Sequence, residues 1–337
     1  MSKNPYFIAE IGVNHEAKIK LAKKLIKNAK DSGANAIKLQ CYKAERIASK
    51  YAKAYWDKKE EIENDQLKLY KRFDKFNKKD YLSLFRYCKK IKIDFIVTPF
   101  DLEFVNFFSN KVKYFKISSS DITNHLLIEK VAKTKVPIIL STGASTITEI
   151  GSALRVINKY HNKITLLHCI LNYPTKKINS NLNMIDDLKE RFNLPVGLSD
   201  HTKPEDSIEI LSIAHIKKVS MIEKHFTNNK KKPGNDHFHS FDKIDLKNYC
   251  KKIKYLNEIL GRSKKTFLKS EKISRKNARR SLFFNKNISK GNRIKKIDLI
   301  ALRPAIGISP SKYKSVINKK LKIDVKEGQI IKKNIFH

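Results

Sequence analysis

The feature that most constrains the fold is a repeated alternation of two kinds of segment. Short runs that are continuously apolar alternate with longer runs whose apolar residues recur at helical spacing, and eight such pairs follow one another within residues 1–262. Parallel strands that are covered by helices on both faces are continuously apolar in this way. The pattern therefore predicts an α/β fold, a (β/α)8 TIM barrel. The alternative is a doubly wound open sheet, but no GxGxxG follows the first predicted strand.

The limits of the eight predicted strands follow from these apolar runs. The strands cover residues 6–11, 36–40, 94–98, 114–118, 136–141, 164–168, 195–199 and 219–223. Thr146 and Glu149 form the sequence pattern of a capping box, which predicts a helix start there. The long insertion at 41–77 contains the single tryptophan, Trp56, and its pattern predicts neither helix nor strand.

After Gly261 the pattern changes, which predicts a second domain. Residues 263–280 are basic, and we expect a linker there. Residues 281–337 contain short strand-like runs separated by turns, which predicts a small β-rich domain. A domain of this size buries little surface by itself, so we expect it to gain stability from a neighbour.

Composition limits the partners. The formal net charge is +39, but the excess is mostly lysine spread along the chain, without the arginine and aromatic clusters typical of nucleic-acid interfaces. We therefore expect small-molecule substrates and no nucleic-acid partner. No apolar run reaches the roughly 20 residues of a membrane helix, and the four cysteines form no CxxC pair. These features predict a cytoplasmic protein without a membrane partner.

Polar residues collect at the carboxyl ends of the predicted strands, where TIM-barrel enzymes place their active sites. The residues at these ends are Glu10, Lys38, Gln40, Thr98, Lys116, Ser118, Ser141, His168, Ser199, His201, Glu223 and His225. His201 and His225 follow neighbouring strands at equivalent points, so both imidazoles could bind one metal ion. The arrangement predicts an enzyme with a divalent cation that polarises a carbonyl group.

Lys38 and Lys116 leave two possibilities open. One lysine could form a Schiff base, as in aldolases. Alternatively, both could clamp an anion, which we favour because short donors surround them, and cations with such donors suit a phosphate and a carboxylate. Those donors are Thr98, Ser118, Ser119, Ser141, Asn172 and Ser199. Five further residues could surround the substrate: His15, Asp121, Tyr173, Asp236 and His237.

At these residues the sequence resembles the sialic acid (N-acetylneuraminate) synthase family over nearly its whole length. The matching segments are IAEIGVNH (8–15), IKLQ (37–40), TPFD (98–101), FKISSSDITN (115–124), ILSTG (139–143), LHCILNYP (167–174), GLSDHT (197–202), IEKHFT (222–227) and PGNDH (233–237). RRSLFF (279–284) and LRPAIGISP (302–310) resemble the family's C-terminal antifreeze-like (SAF) domain.

The resemblance implies a reaction and a role for individual residues. Phosphoenolpyruvate would condense with an N-acetylmannosamine-type sugar, with a divalent metal, typically Mn²⁺ (or Mg²⁺ or Co²⁺), on His201 and His225. Glu10 would be a proton-transfer group near phosphoenolpyruvate. The phosphoenolpyruvate site would comprise Lys38, Gln40, Thr98, Lys116, Ser119, Ser141, Asn172 and Ser199. The sugar site would comprise Asp121, Tyr173, Asp236 and Arg303.

The resemblance also implies a homodimer in which the SAF domain of one subunit covers the barrel of its partner. N-acetylneuraminate is the expected product, and N,N'-diacetyllegionaminate, from 2,4-diacetamido-2,4,6-trideoxymannose, is the alternative. The chain departs from the family at several points. It has Glu16 and Ala17 where the family usually has Asn-Gly.

Overall fold

A computed structural model describes residues 4–56, 58–59, 61–234 and 236–337. The chain divides into two compact units, Met1–Gly261 and Arg262–His337. Among the described residues, no helix combines the length and apolar character that crossing a membrane requires.

The first unit is a closed barrel of eight parallel strands, which confirms the predicted fold class. The strands are β1 Tyr6–Glu10, β2 Ala36–Cys41, β3 Asp94–Pro99, β4 Tyr114–Ile117, β5 Ile138–Ser141, β6 Ile164–Cys169, β7 Val196–Asp200 and β8 Met221–His225. The predicted limits agree to within two residues at each end. The largest shift is at β8, which ends two residues later than predicted and therefore includes His225.

Helices follow the strands. They are α1 Ile19–Asp31, α2 Ala44–Ile47, α3 Gln66–Phe73, α4 Lys78–Ile91, α5 Leu102–Phe108, α6 His125–Lys133, α7 Ile147–Asn158, α8 Met184–Phe192, α9 Pro204–Ile216 and α10 Lys243–Leu260. All but α2 and α3, which lie in the insertion at 41–77, pack around the barrel. The capping box of Thr146 and Glu149 forms at the start of α7 as predicted. The insertion at 41–77 carries α2 and α3, which the sequence pattern did not predict.

The barrel interior is built in layers because successive side chains of a strand point to opposite faces. One layer is apolar and separate from the larger core between strands and helices; it contains Ile8, Ala36, Ile96, Ile139, Leu167 and Met221. The residues two positions later on the same strands point the same way; they are Glu10, Lys38, Thr98, Ser141, Cys169 and Glu223. The strand register thus places a polar layer directly above an apolar one.

The loop after β1 contains two residues with left-handed backbone. Glu16 has φ 48° and Ala17 has φ 54°. Asn and Gly adopt this conformation more readily than other residues, which is consistent with the Asn-Gly that the family resemblance implies here. In this chain Glu16 makes ion pairs with Lys18, at 3.0 Å, and with Lys232.

The second unit has its own apolar core, formed by residues such as Leu282, Phe284 and Val316. It contains α11 Lys272–Ala278 and an antiparallel pair, β9 Ser281–Phe284 and β10 Leu299–Leu302. The segment 263–280, expected as a linker, therefore includes a helix and lies within this unit.

The apolar layer of the barrel predicts the effect of one substitution. Gly197 of β7 leaves room for its neighbours, because a Cβ there would lie 2.5 Å from Leu167 Cδ2 and 2.6 Å from the Met221 carbonyl oxygen. Gly197→Ala should lower the free energy of unfolding by about 1 to 3 kcal/mol through overpacking. Chemical denaturation followed by circular dichroism measures this.

Gly151→Ala is the matched control. This glycine lies in α7, and a Cβ there meets nothing closer than Arg155 Nη1 at 3.7 Å. Alanine should stabilise the helix by about 0.5 to 1 kcal/mol. Equal effects of the two substitutions would contradict the packing argument.

Candidate active site

A cavity of about 410 Å³ is lined by the carboxyl ends of the strands and by the loops that follow them. The predicted site residues that line it are Lys38, Gln40, Thr98, Lys116, Ser119, Asp121, Ser141, Tyr173, Ser199, His201, His225 and Asp236. Glu10 contacts this group through Lys38. The structure therefore brings together most of the residues that the sequence singled out.

Two buried lysines and two buried carboxylates form a charged cluster at the floor of the cavity, which Lys38, Lys116 and Glu223 line and which Glu10 joins through Lys38. Lys38 Nζ makes an ion pair with Glu10 and donates a hydrogen bond to Thr98 Oγ1 at 3.1 Å. Lys116 Nζ donates to Glu223 Oε1 at 3.1 Å. Each side chain is at most 5% exposed, so these charges interact with little screening by water.

The carboxylate of Glu223 joins the two halves of this cluster. Oε1 also accepts a hydrogen bond from Ser199 Oγ at 3.0 Å, and Oε2 lies 3.9 Å from Lys38 Nζ. Burial raises the pKa of Glu223, but Lys116 and Lys38 outweigh burial and lower this pKa to about 2. Glu223 is therefore an ionised partner of both lysines at neutral pH.

The pKa values of the two lysines move in opposite directions. For Lys38, burial lowers the pKa, but Glu10 and Glu223 outweigh it, so the pKa is raised. For Lys116, burial and repulsion from Lys38 exceed the attraction of Glu223, so the pKa is lowered. Lys116 is accordingly the better candidate for any chemistry that needs a neutral amine.

The two predicted metal ligands lie next to each other. The rings of His201 and His225 have centroids 5.5 Å apart, close to the separation of about 5 Å expected for imidazoles that bind one ion at roughly 2.1 Å. His201 Nδ1 forms a hydrogen bond with the carbonyl oxygen of Ile170 at 2.9 Å, which leaves Nε2 as its free donor atom. The ring of Tyr173 packs against His201 at 4.3 Å.

A third histidine, His239, lies beside His225, with ring centroids 4.7 Å apart, and the sequence analysis missed it. Among the described residues, His225, Asp236 and His239 each offer one ligand atom, and these atoms lie within 4.8 Å of one another. His239 is fully buried, and neither ring nitrogen has a hydrogen-bond partner in the part of the chain that the structure describes. Unpartnered buried nitrogens are rare, so these residues fit a metal ion.

The available signal for His239 was the His-x-His pattern of residues 237–239, from which we expected His237 to face the substrate. Instead, His237 Nδ1 pairs with Thr227 Oγ1 at 2.7 Å, and His237 does not line the cavity. His15 does not line it either, since its ring stacks on Phe76 with centroids 4.5 Å apart.

Three other predicted residues lie outside the group. Asn172 is exposed and does not line the cavity, although we expected it near phosphoenolpyruvate. His168 points away from the barrel interior, and its Nε2 pairs with the carbonyl oxygen of Ser180 at 2.8 Å. Arg303 lies in the second unit, where it is exposed.

The insertion at 41–77 contributes a largely apolar wall, which the sequence analysis did not predict. Its cavity-lining residues are Ile47, Tyr55, Trp56, Glu61, Gln66, Leu69, Tyr70 and Phe73. The ring of Tyr55 meets that of Tyr173 edge to face at 6.2 Å. One side of the cavity is thus charged, and the opposite side is aromatic.

Comparison with known proteins assigns the chain to a family. The model of the NeuB family matches residues 25–265. The chain belongs to the NeuB family. A SAF domain matches residues 279–335, so the second unit is this domain.

Named relatives of this NeuB-family chain are synthases of nonulosonic acids. The N,N'-diacetyllegionaminic acid synthase of Campylobacter jejuni is 38% identical over 98% of this chain and 99% of its own length. The enzyme of the same name from Legionella pneumophila is 35% identical over 96% and 92%. A solved N-acetylneuraminic acid synthetase from Leptospira borgpetersenii, in complex with citrate, is 34% identical with a TM-score of 0.70, covering 80% of this chain and 90% of that one.

The family assignment establishes a sialic-acid-type synthase that acts on small molecules. Synthases of the NeuB family are generally metal-dependent, and the group of His225, Asp236 and His239 is consistent with this.

The buried charges predict a pH-dependent stability. Because the folded-state pKa of Glu223 is lowered, its stabilising contribution is complete above the ordinary value of 4.5 and is lost as the pH falls towards 2. Glu223→Gln leaves two buried lysines short of a counter-charge and should lower the free energy of unfolding at pH 7 by about 3 to 5 kcal/mol. Urea denaturation of both proteins from pH 8 to pH 2.5 measures this.

The difference between the two proteins should be constant above about pH 5 and should shrink below about pH 4.5. Glu129→Gln is the control, since Glu129 forms an exposed pair with Lys133 at 2.9 Å and should change stability little. A difference for Glu223→Gln that is independent of pH would contradict the ion-pair role.

Proposed function

We propose that this protein condenses phosphoenolpyruvate with the open-chain aldehyde of an N-acylated amino sugar and releases phosphate. The observation that carries the proposal is the convergence of Lys38, Lys116, His201 and His225 on one cavity. Two cations suit the phosphate and carboxylate of phosphoenolpyruvate, and two imidazoles suit a divalent ion at the aldehyde.

The charged side of the cavity would hold phosphoenolpyruvate. Lys38 and Lys116 would exchange part of their contact with Glu10 and Glu223 for contact with the anion. Hydroxyl and amide donors that line the same side would complete the site: Gln40, Thr98, Ser119, Ser141 and Ser199. These donors are held by the strand ends and their first loops, so their positions are fixed before the substrate arrives.

The imidazole side of the cavity would receive the aldehyde. A divalent ion on His201 and His225 would polarise the aldehyde oxygen. C3 of phosphoenolpyruvate then attacks the aldehyde carbon, water adds at C2, and phosphate leaves by cleavage of the C–O bond. Glu10, in contact with Lys38, would move a proton, either from the water that adds at C2 or to the oxygen of the aldehyde. Asp121, Tyr173 and Asp236 would bind the sugar.

For the acceptor we propose 2,4-diacetamido-2,4,6-trideoxymannose, so the product would be N,N'-diacetyllegionaminate. Two relatives that match nearly the whole chain carry this activity in their names. The wall formed by Trp56, Leu69, Tyr70 and Phe73 also suits the methyl groups of a 6-deoxy, doubly acetylated sugar. N-acetylmannosamine, the acceptor for N-acetylneuraminate, is the alternative, supported by the likeness to the Leptospira synthetase.

A panel of acceptors with a phosphate readout tests the proposal. With Mn²⁺ and phosphoenolpyruvate, the diacetamido sugar should give kcat/KM at least about 10-fold above that of N-acetylmannosamine, as expected for two apolar contacts. Mass spectrometry of the product checks that phosphate release is accompanied by formation of the condensed nonulosonic acid. A preference for N-acetylmannosamine would instead indicate that the product is N-acetylneuraminate.

Histidine variants are the controls for the same assay. His201→Ala and His225→Ala should each abolish phosphate release, whereas His168→Gln, which changes a buried histidine outside the cavity, should retain it. Full activity in both alanine variants would reject the reaction class proposed here.

The lowered pKa of Lys116 favours one alternative, a Schiff-base aldolase. We expect the anion clamp instead, because Lys116 contacts Glu223 directly. Borohydride treatment in the presence of substrates should therefore leave no adduct on Lys38 or Lys116 by peptide mass spectrometry. A covalent adduct on either lysine would favour the aldolase.

Several expectations from the family resemblance remain predictions. They are Mn²⁺ as the native metal and a homodimer in which the SAF domain of one subunit covers the partner's barrel. Arg303 would then reach the N-acyl group of the sugar bound by the partner. The cytoplasmic location expected from the cysteines and the apolar runs also stays a prediction.

A further inference from the structure

We propose that His239 is a protein ligand of the divalent ion, together with His225 and Asp236, so that the ion has more than the two predicted imidazole ligands. Asp236 would then bind the ion rather than the sugar. The inference rests on the proposed function only where it concerns the effect of His239 on turnover. Metal binding itself can be measured without substrates.

The geometry of the three side chains suits one ion. The rings of His225 and His239 have centroids 4.7 Å apart. One carboxylate oxygen of Asp236 lies 3.1 Å from His225 Nδ1, and the other lies 4.0 Å from His239 Nε2. Two ligand atoms at right angles around an ion, with bonds of roughly 2.1 Å, are about 3 Å apart. The three side chains would therefore need to move little to bind one ion.

The unsatisfied atoms also point to a ligand. Within the described part of the chain, neither nitrogen of His239 has a hydrogen-bond partner, and His225 Nδ1 lacks one despite its short distance to Asp236. A buried polar group without a partner destabilises a protein by about 1 to 3 kcal/mol. A bound ion would satisfy these atoms.

Aromatic packing is the competing role for His239. Its ring lies 5.5 Å from that of Tyr173 and 4.7 Å from that of Phe238. Phenylalanine would provide the same packing without two polar nitrogens. The substitution His239→Phe therefore separates packing from ligation.

The donor set has a consequence for metal selectivity. An additional imidazole favours the later first-row ions, since affinities for nitrogen ligands rise from Mn²⁺ to Co²⁺. Without His239 the site would depend more on oxygen donors and water, which discriminate less between these ions. We therefore expect this protein to favour Co²⁺ over Mn²⁺ by a margin that depends on His239.

The experiment compares metal binding by chelator-treated full-length wild-type protein, His239→Phe and His237→Phe. Electron paramagnetic resonance of free Mn²⁺ and calorimetry with Co²⁺ give the dissociation constants. His239→Phe should raise the Kd for Mn²⁺ at least about 10-fold and lower the preference for Co²⁺. His237→Phe is the matched control, because His237 pairs with Thr227 and should leave both constants within about twofold of wild type.

Circular dichroism verifies that each variant is folded, and His239→Gln, which keeps a polar side chain but not an imidazole, serves if the phenylalanine variant is not. Unchanged metal affinity in the folded His239 variants, or equal losses in the His237 variant, would overturn the inference. Weaker metal binding by His239→Phe, together with no phosphate release from phosphoenolpyruvate by the wild-type protein with any acceptor sugar, would support the ligand role while rejecting the proposed function. Phosphate release by the wild-type protein, together with an unchanged metal affinity of the His239 variants, would support the proposed function while rejecting the ligand role of His239.

Discussion

Closure of the barrel by pairing between β1 and β8 is the constraint on which the site depends. The register pairs Glu10 with His225, and the next pairing along the sheet sets Glu10 beside Lys38. On the other side of β8, Glu223 pairs with Ser199 of β7. A shift of one residue in any of these pairings would turn the polar side chains outward into the apolar layer beneath the helices.

Burying the charged side chains of the polar layer costs free energy, which contacts within the layer offset. Taking four charged groups out of water costs several kcal/mol for each, so each must have a partner. The side chains of Glu10, Lys38, Lys116 and Glu223 find these partners within the layer itself. On the outer face of the sheet, Lys224 and Asp200 form a separate buried pair at 2.7 Å, again between β7 and β8.

The sequence predicted those features that depend on local periodicity. The strands, and hence the positions of Lys38, Lys116 and Ser199, follow from apolar runs whose ends can be read directly, whereas β8 extends two residues beyond its predicted end to include His225. The bridging role of Glu223 was not predicted, because it joins β8 to Lys38 of β2 and Lys116 of β4, which are not neighbours of β8, and so depends on which side chains meet across the barrel interior.

Loop residues were harder to place for a physical reason. His239 and the wall at 41–77 lie in segments without a repeating pattern, so their positions depend on contacts with distant parts of the chain. Asn172 was expected in the cavity because of its neighbours in sequence, but its loop leaves it exposed. The SAF domain was recognised from its motifs, since its short strands carry little periodicity.

The balance of charge on the cavity floor affects the order in which ligands bind. Two lysines already face two carboxylates, so the floor has no surplus positive charge to offer a multiply charged anion. If the proposed reaction holds, the divalent cation supplies that surplus, and the affinities for cation and phosphoenolpyruvate must each rise when the other is present. Because of this thermodynamic coupling, the site would bind other phosphate-containing anions only weakly when the cation is scarce.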